Sequence, residues 1–93
     1  MCQQLNNNLR VLKDLSDQAE RAAQASDFSK AEEHLLSMYE YAKQIYGPEH
    51  GEVGAVLMRL VEVCECQGKL QLAAIYLAET EKIVESYVLD SED

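Results

Sequence analysis

Apolar residues recur along the first half of this chain at steps of three and four, the spacing that places them on one face of a helix. The first stripe predicts a helix over about residues 4–25, and the second predicts a helix that ends at about Tyr46. Ser26 and Asp27 lie between the two stripes and are residues that favour helix N-caps. The two stripes consist of Leu5, Leu9, Leu12, Leu15, Ala19 and Ala22, followed by Phe28, Ala31, Leu35, Met38, Ala42 and Ile45.

The second half of the chain repeats this arrangement after a turn. Gly47 and Pro48 end the second helix, because glycine accepts the left-handed conformation after a helix and proline cannot continue one. Two further stripes lie on either side of Gln67 and Gly68, and their members are Val53, Leu57, Leu60 and Cys64, then Leu70, Ala73, Leu77, Val84 and Val88. The pattern therefore predicts an all-α chain with two antiparallel helical hairpins.

The two halves of the chain align on each other at a spacing of 42 residues. At this spacing Ala31 corresponds to Ala73, and Ser26 at the first turn corresponds to Gly68 at the second. The other matched pairs agree in size and polarity: Leu15 with Leu57, Ala19 with Val61, Ala22 with Cys64, Phe28 with Leu70, and Leu35 with Leu77. An internal period of two helices is typical of helical repeat arrays, which act more often in binding than in catalysis.

A single domain of residues 1–93 accounts for the whole pattern. The first repeat covers about residues 12–46 and the second about 53–88, with a linker at 47–52 and an acidic tail at 89–93. A plain four-helix up-down bundle would show the same stripes. We prefer the repeat because several residue pairs keep the 42-residue register.

Small or apolar residues occur at fixed offsets in both halves. They are Leu57, Leu60, Val61, Cys64, Gly68, Leu70, Ala73, Leu77 and Thr80, with Leu15, Ala19, Ala22, Phe28, Ala31, Leu35 and Met38 in the first half. These offsets resemble those of the tetratricopeptide repeat (TPR), over about residues 12–88. The 42-residue period and the Gly-Pro-Glu-His linker are similar to the extended repeats of kinesin light chain-like scaffold proteins. The resemblance implies an α-α superhelix in which the first helix of each repeat lines a concave groove.

That groove would take its partner-binding residues from the first and third helices. The matched positions place there Lys13, Glu20 and Gln24, with Met58, Glu62 and Glu65. Acidic residues outnumber basic ones on this face and Met58 adds an apolar spot, so we expect a basic or amphipathic peptide or protein as the partner. The alternative for Glu20, Glu62 and Glu65 is an ordinary solvated helix face.

The last predicted helix is apolar on more than one side. Beside its core stripe it carries a second line formed by Leu72, Tyr76, Ile83 and Tyr87. Because the final helix of a repeat array is expected to be polar, this line predicts an interface with a second copy or with a neighbouring segment. The alternative is that these residues only deepen the contact with helices two and three.

Three classes of function follow from these surfaces. The first is a non-catalytic adaptor or scaffold that binds a peptide or partner protein in the groove, as a fragment of a larger repeat protein. The second is a homo-oligomerisation or docking module that acts through the C-terminal helix. The third is a helical accessory segment of a larger enzyme.

Charge and composition narrow the partners. The chain has 17 acidic and 8 basic residues, a net charge of −9, which argues against binding to a nucleic acid backbone. No apolar run approaches the roughly 20 residues that span a bilayer, so no membrane partner is expected. Cys64 and Cys66 are too close along a helix to pair comfortably, and an odd total of three cysteines implies no disulfide framework. These features favour a reducing, cytoplasmic setting.

Few residues offer catalytic or metal-binding chemistry. His34 and His50 are the only histidines, and neither lies at a metal-ligand spacing from a cysteine. We expect His34 on the solvated surface and His50 in a hydrogen bond to the linker backbone. Cys64 and Cys66 point about 200° apart on a helix, so they cannot share a ligand site, and we expect Cys64 in the core and Cys66 outside it. The sequence therefore predicts a chain that is not an enzyme and needs no cofactor or metal.

Overall fold

The computed structural model describes the backbone of residues 2–91 and the side chains of residues 7–86. Within the described backbone the chain forms four helices, α1 (Cys2–Gln24), α2 (Phe28–Tyr46), α3 (Gly51–Cys66) and α4 (Leu70–Ser91). Helix α1 packs on α2, α3 packs on α4, and α2 packs on α3. The predicted all-α fold of two antiparallel helical hairpins is confirmed. The predicted tail at 89–93 continues α4 as far as Ser91, and residues 92–93 lie outside the described part.

The two hairpin turns share an unusual backbone conformation. Ser26 has φ 62° and Gly68 has φ 75°, which places both residues in the left-handed region. Glycine adopts this conformation readily, whereas a residue with a Cβ adopts it at some cost. The sequence alignment pairs these two residues, so the 42-residue register extends to the backbone angles.

The same register holds for the hydrogen bonds that close each turn. In the first turn the backbone N–H of Asp27 donates to the carbonyl of Ala22 at 2.8 Å. In the second turn the N–H of Lys69 donates to the carbonyl of Cys64 at 2.9 Å. Each bond joins residues five positions apart and is the wider-spanning of the two hydrogen bonds that define a Schellman motif after a helix. The two hairpin turns therefore share one backbone motif at the 42-residue spacing.

A histidine fixes the linker between the hairpins. His50 is the N-cap of α3, and its Nδ1 accepts a hydrogen bond from the backbone N–H of Glu52 at 3.1 Å. Its ring also stacks on Tyr46, with the ring centroids 4.7 Å apart. The chain can reverse before this cap because Gly47 takes φ 94°. The predicted bond from His50 to the linker backbone is confirmed.

The main core lies between α2 and α3. Its largest fully buried side chains are Leu35, Leu57, Leu60, Val53 and Cys64. Ala31 has no exposed surface, and a side chain of this size lets two helices lie close together. Cys64 is buried and Cys66 is exposed, as the stripe predicted, and burial raises the pKa of the Cys64 thiol.

Two partly buried polar contacts connect α2 to the second hairpin. Lys69 Nζ donates to Glu32 Oε1 at 2.8 Å, and Gln67 Nε2 donates to the same oxygen at 2.7 Å. The hydrogen bond from Lys69, aided by the one from Gln67, lowers the pKa of Glu32 although burial opposes it. Nearby, the Tyr39 hydroxyl donates to Glu79 Oε2 at 2.7 Å. Burial, followed by this bond, raises the pKa of Tyr39 to about 12.

The face of α4 that packs on α3 differs from the predicted one. Leu70 and Leu77 were expected in the core, but they are 66% and 42% exposed, and Val84 is 53% exposed. Ala73, which was also expected in the core, is buried as predicted, and Thr80 and Ile83 are buried beside it. The reason is that, among the described residues, α4 packs mainly on α3, so just one of its two apolar stripes is covered.

Candidate functional site

A groove lies between α1 and α3, which both pack on α2. Four residues of α2 line it, namely Leu35, Met38, Ala42 and Tyr46. The walls belong to α1 on one side and α3 on the other, the two helices that the sequence predicted to line a groove. Two pockets of different chemistry occupy this groove.

The first pocket, which we call the apolar pocket, has a volume of about 230 Å³. Lys13 of α1 and Glu52 of α3 contribute charged groups to a lining that is otherwise mostly apolar. Sites for small-molecule ligands usually measure about 300–1,000 Å³, so this pocket suits a single apolar side chain better than a whole cofactor. Its lining consists of Leu9, Leu12, Lys13, Ser16, Met38, Ala42, Tyr46, Glu52 and Val56.

The second pocket, which we call the acidic pocket, has a volume of about 410 Å³. Glu20 of α1 and Glu62 of α3 line it from opposite walls, and both residues are exposed. Ala19, Ala23, Leu35 and Val63 form its apolar surfaces. A cationic side chain placed between the two carboxylates would gain charge complementarity from both walls.

A hydrogen bond across the groove separates the two pockets. Arg59 of α3 donates from Nη1 to Ser16 Oγ of α1 at 2.8 Å, and from Nη2 to the Ser16 carbonyl at 3.5 Å. Arg59 lines the acidic pocket and Ser16 lines the apolar pocket. The guanidinium therefore forms a bridge between α1 and α3, and its positive charge partly offsets the acidic pocket.

The structure brings together some of the predicted groove residues. Glu20 and Glu62 share the acidic pocket, and Lys13 lies at the apolar pocket. The remaining three lie on exposed helix surface: Gln24, Glu65, and Met58 with 41% exposure. The acidic character predicted for the groove is therefore concentrated at Glu20 and Glu62.

Several groove residues were not predicted as such. Leu9 and Met38 belong to apolar stripes and were assigned to the core, because periodicity cannot distinguish a core residue from a pocket lining. Tyr46 was seen only as a helix end. The contact between Arg59 and Ser16 joins residues 43 positions apart, and no sequence signal gives the separation of α1 and α3 that allows it.

The predicted interface on α4 is largely inside the fold. Ile83 is 6% exposed and faces α3, where a Cβ on Gly54 would lie 3.7 Å from its Cγ2. Tyr76 and Leu72 are half-buried and pack against core residues. The side chain of Tyr87 lies outside the described residues. Burial therefore contradicts the interface role at Ile83, and the packing of Leu72 and Tyr76 fits the alternative of a deeper contact within the fold.

A different set of residues forms an exposed apolar line along α4. Leu70, Leu77 and Val84 follow each other at intervals of seven residues and lie along one side of the helix. We call this set the outer stripe. Its three residues were all predicted in the core stripe of α4, whose member Ala73 is buried as predicted.

Comparisons with protein-family models, with curated proteins and with solved structures give no match for this chain. No helix among the described residues has both the length and the apolar character to span a membrane. Nor do His, Cys, Asp and Glu side chains in that part of the chain gather in a group of three or more that could hold a metal ion.

Proposed function

We propose that this chain is a non-catalytic protein-binding module that holds a segment of a partner protein in the groove between α1 and α3. The observation that supports this proposal is the division of the groove into an apolar pocket and an acidic pocket. Such a pair of pockets suits a partner segment with one large apolar side chain and one Lys or Arg.

The spacing of the pockets indicates how such a segment would lie. Along α1, the apolar pocket is lined around Leu12 and the acidic pocket around Glu20, a separation of roughly 12 Å at the helical rise. An extended chain covers that distance in about four residues. We therefore propose an extended partner segment with an apolar and a basic residue about four positions apart.

The proposed relation to extended TPR arrays rests on the residues and on the shared geometry of the two hairpin turns. The helices that line the groove, α1 and α3, are the first helices of the two predicted repeats. An adaptor of this kind fits a cytoplasmic setting, since Cys64 and Cys66 are free thiols.

A peptide selection tests the proposal. A phage-displayed library of random 12-residue peptides is selected on the immobilised chain, and the enriched peptides are measured in solution by fluorescence anisotropy. We expect enrichment of Lys or Arg about four positions from a large apolar residue. The affinity should fall as salt is raised, because the carboxylates of the acidic pocket are exposed.

A charge reversal locates the binding site. Glu20→Lys combined with Glu62→Lys should abolish binding of the selected peptides, because both walls of the acidic pocket then repel a cation. The matched control is Glu33→Lys with Glu49→Lys, which changes the net charge equally at exposed residues outside both pockets. Binding that survives the first pair, or that falls equally with the control pair, would contradict the groove proposal.

A further inference from the structure

The outer stripe of α4 has a covered counterpart in the first hairpin. At the 42-residue spacing Leu77 corresponds to Leu35 and Val84 corresponds to Ala42. Leu35 and Ala42 are each 1% exposed, whereas Leu77 and Val84 are 42% and 53% exposed. The difference arises because α3 packs over that face of α2, and in the part of the chain that the structure describes no helix packs over the same face of α4. The fold therefore shows what type of element covers this face, namely a helix with an apolar stripe.

A head-to-tail arrangement of identical copies does not supply a suitable helix. It would place α1 of one copy over α4 of another, in the way that α3 lies over α2. Three buried α3 residues have exposed polar counterparts in α1: Val56, Leu60 and Val63 correspond to Asp14, Gln18 and Arg21. Burying that face of α1 on the outer stripe would remove polar and charged groups from water without partners.

A two-fold pairing of α4 with α4 is disfavoured by charge. Glu81 lies four residues after Leu77 and Glu85 four residues further, so exposed acids border the outer stripe on one side. In a pair of identical helices each copy would bring the same carboxylates to the contact, and each chain carries a net charge of −9. A helix of a different protein that places Lys or Arg beside these carboxylates would instead be attracted to them.

We propose that the outer stripe of α4 is a docking surface for an amphipathic helix of a partner protein that carries basic residues on the flank facing Glu81 and Glu85. This surface is separate from the groove of the proposed function, so the chain would hold two partner segments at once. The helix would cover Leu70, Leu77 and Val84, which extend over about 21 Å of α4.

The contacts of α3 show where the basic residues belong on such a helix. Glu81 corresponds to Tyr39 of α2, and Tyr39 lines a surface pocket together with Leu57 of α3. Gly54 and Val61 flank Leu57 and face α4, through contacts with Ile83 and in a cluster with Ala73. If a partner helix lies on α4 as α3 lies on α2, lysines at the positions equivalent to Gly54 and Val61 would therefore lie beside Glu81.

The probe is a fluorescent peptide with the sequence of Gly51–Cys66 and the changes Gly54→Lys and Val61→Lys. Both of its cysteines are changed to alanine. Its affinity for the full chain is measured by fluorescence anisotropy, and we expect binding in the micromolar range. A second peptide with Gly54→Glu and Val61→Glu keeps the apolar stripe and should bind about tenfold more weakly at low salt.

Two matched variants locate the peptide. Leu77→Asp should weaken binding of the lysine peptide by about tenfold or more, because an apolar contact of the stripe is lost. Ile75→Asp makes the same change of charge at a residue of α4 that is 55% exposed and outside the outer stripe, and it should leave binding unchanged. Both residues are exposed, so both variants should keep the helical circular dichroism of the parent.

Three results would overturn the proposal. One is lysine-peptide binding that is unchanged by Leu77→Asp, and another is equal binding of the glutamate peptide. The third is light scattering that shows the chain alone at twice its monomer mass, with Leu77→Asp restoring the monomer, because a second copy would then be the occupant. The charge reversal at Glu20 and Glu62 should leave lysine-peptide binding intact, which separates this test from that of the groove.

Discussion

Ser26 and Gly68 hold the same left-handed position in two turns that are 42 residues apart, yet only one of them is a glycine. The surrounding hydrogen bonds match, with Ser26 N donating to the Ala23 carbonyl and Gly68 N to the Glu65 carbonyl, each at 3.0 Å. The turn geometry is therefore set by the surrounding helices and hydrogen bonds rather than by the residue at this position. The serine carries a conformational strain that the glycine does not.

Ser26→Gly should stabilise the chain by about 0.5–1 kcal/mol, because relief of the left-handed strain outweighs the extra freedom of the unfolded glycine. The reverse change, Gly68→Ser, should destabilise by a similar amount. A Cβ at Gly68 would have no atom within 4 Å, so its cost is conformational and not steric. The stability of both variants is measured by urea unfolding, with circular dichroism as the signal. Equal stability of all three proteins would show that the φ of Ser26 costs nothing.

The order of the helices and the positions of their ends were more predictable from the sequence than the environment of α4. Gly47, Pro48 and the turn residues mark helix ends through their backbone preferences, and these local signals gave the hairpins. The sequence also showed two apolar stripes on α4, but the choice between them depends on which neighbours are present. Leu77 matches Leu35 in type and differs in burial only because α3 covers the latter.

Ala73→Leu should destabilise the chain by about 1–3 kcal/mol, because the larger side chain must fit where Val61 and Cys64 already pack. Ala73 is 5% exposed. Its neighbour Ala74 is exposed and serves as the control, since Ala74→Leu adds the same volume in solvent. The melting temperatures of the two variants are compared by thermal unfolding. A normal melting temperature for Ala73→Leu would show that the contact between α3 and α4 is looser than the structure describes.

Glu32 should make stability depend on pH in the acid range. Its pKa is lowered in the folded chain by the bonds from Lys69 and Gln67, so the unfolded chain binds the proton more tightly. The stabilisation is complete above the unfolded pKa of about 4.3 and is lost as the pH falls through the lower folded value.

Glu32→Gln should lower the stability at pH 7, because the charged hydrogen bond to Lys69 is replaced by a neutral one, and solvent around the 45% exposed Lys69 side chain limits the loss. The variant should also lose less stability than the parent between about pH 5 and pH 3. Glu33→Gln, at an exposed neighbouring position, is the control and should follow the parent. Parallel pH profiles for the parent and Glu32→Gln would mean that other carboxylates dominate acid unfolding.

The candidate groove was predictable in charge but not in shape. Glu20 and Glu62 were placed on one face by the repeat register, and the structure brings them to one pocket. The apolar pocket depends on the distance between α1 and α3, which the α2 side chains beneath them set. The bridge from Arg59 to Ser16 follows from that distance, so helical periodicity alone could not reveal it.

The bridge gives a prediction for binding in the groove. Arg59→Met keeps an unbranched side chain but removes a positive charge that offsets Glu20 and Glu62. Basic peptides selected on the parent should then bind up to about tenfold more tightly, because the acidic pocket no longer contains a competing cation. Fluorescence anisotropy at low and high salt measures the change, and the gain should shrink as salt screens the carboxylates.

Ser16→Ala is the control, since it removes the hydroxyl partner of Arg59 and leaves the guanidinium charge in the groove, and it should not tighten binding. Tighter binding by Ser16→Ala as well would mean that the bridge obstructs the groove physically, and that the charge of Arg59 is not what limits the affinity.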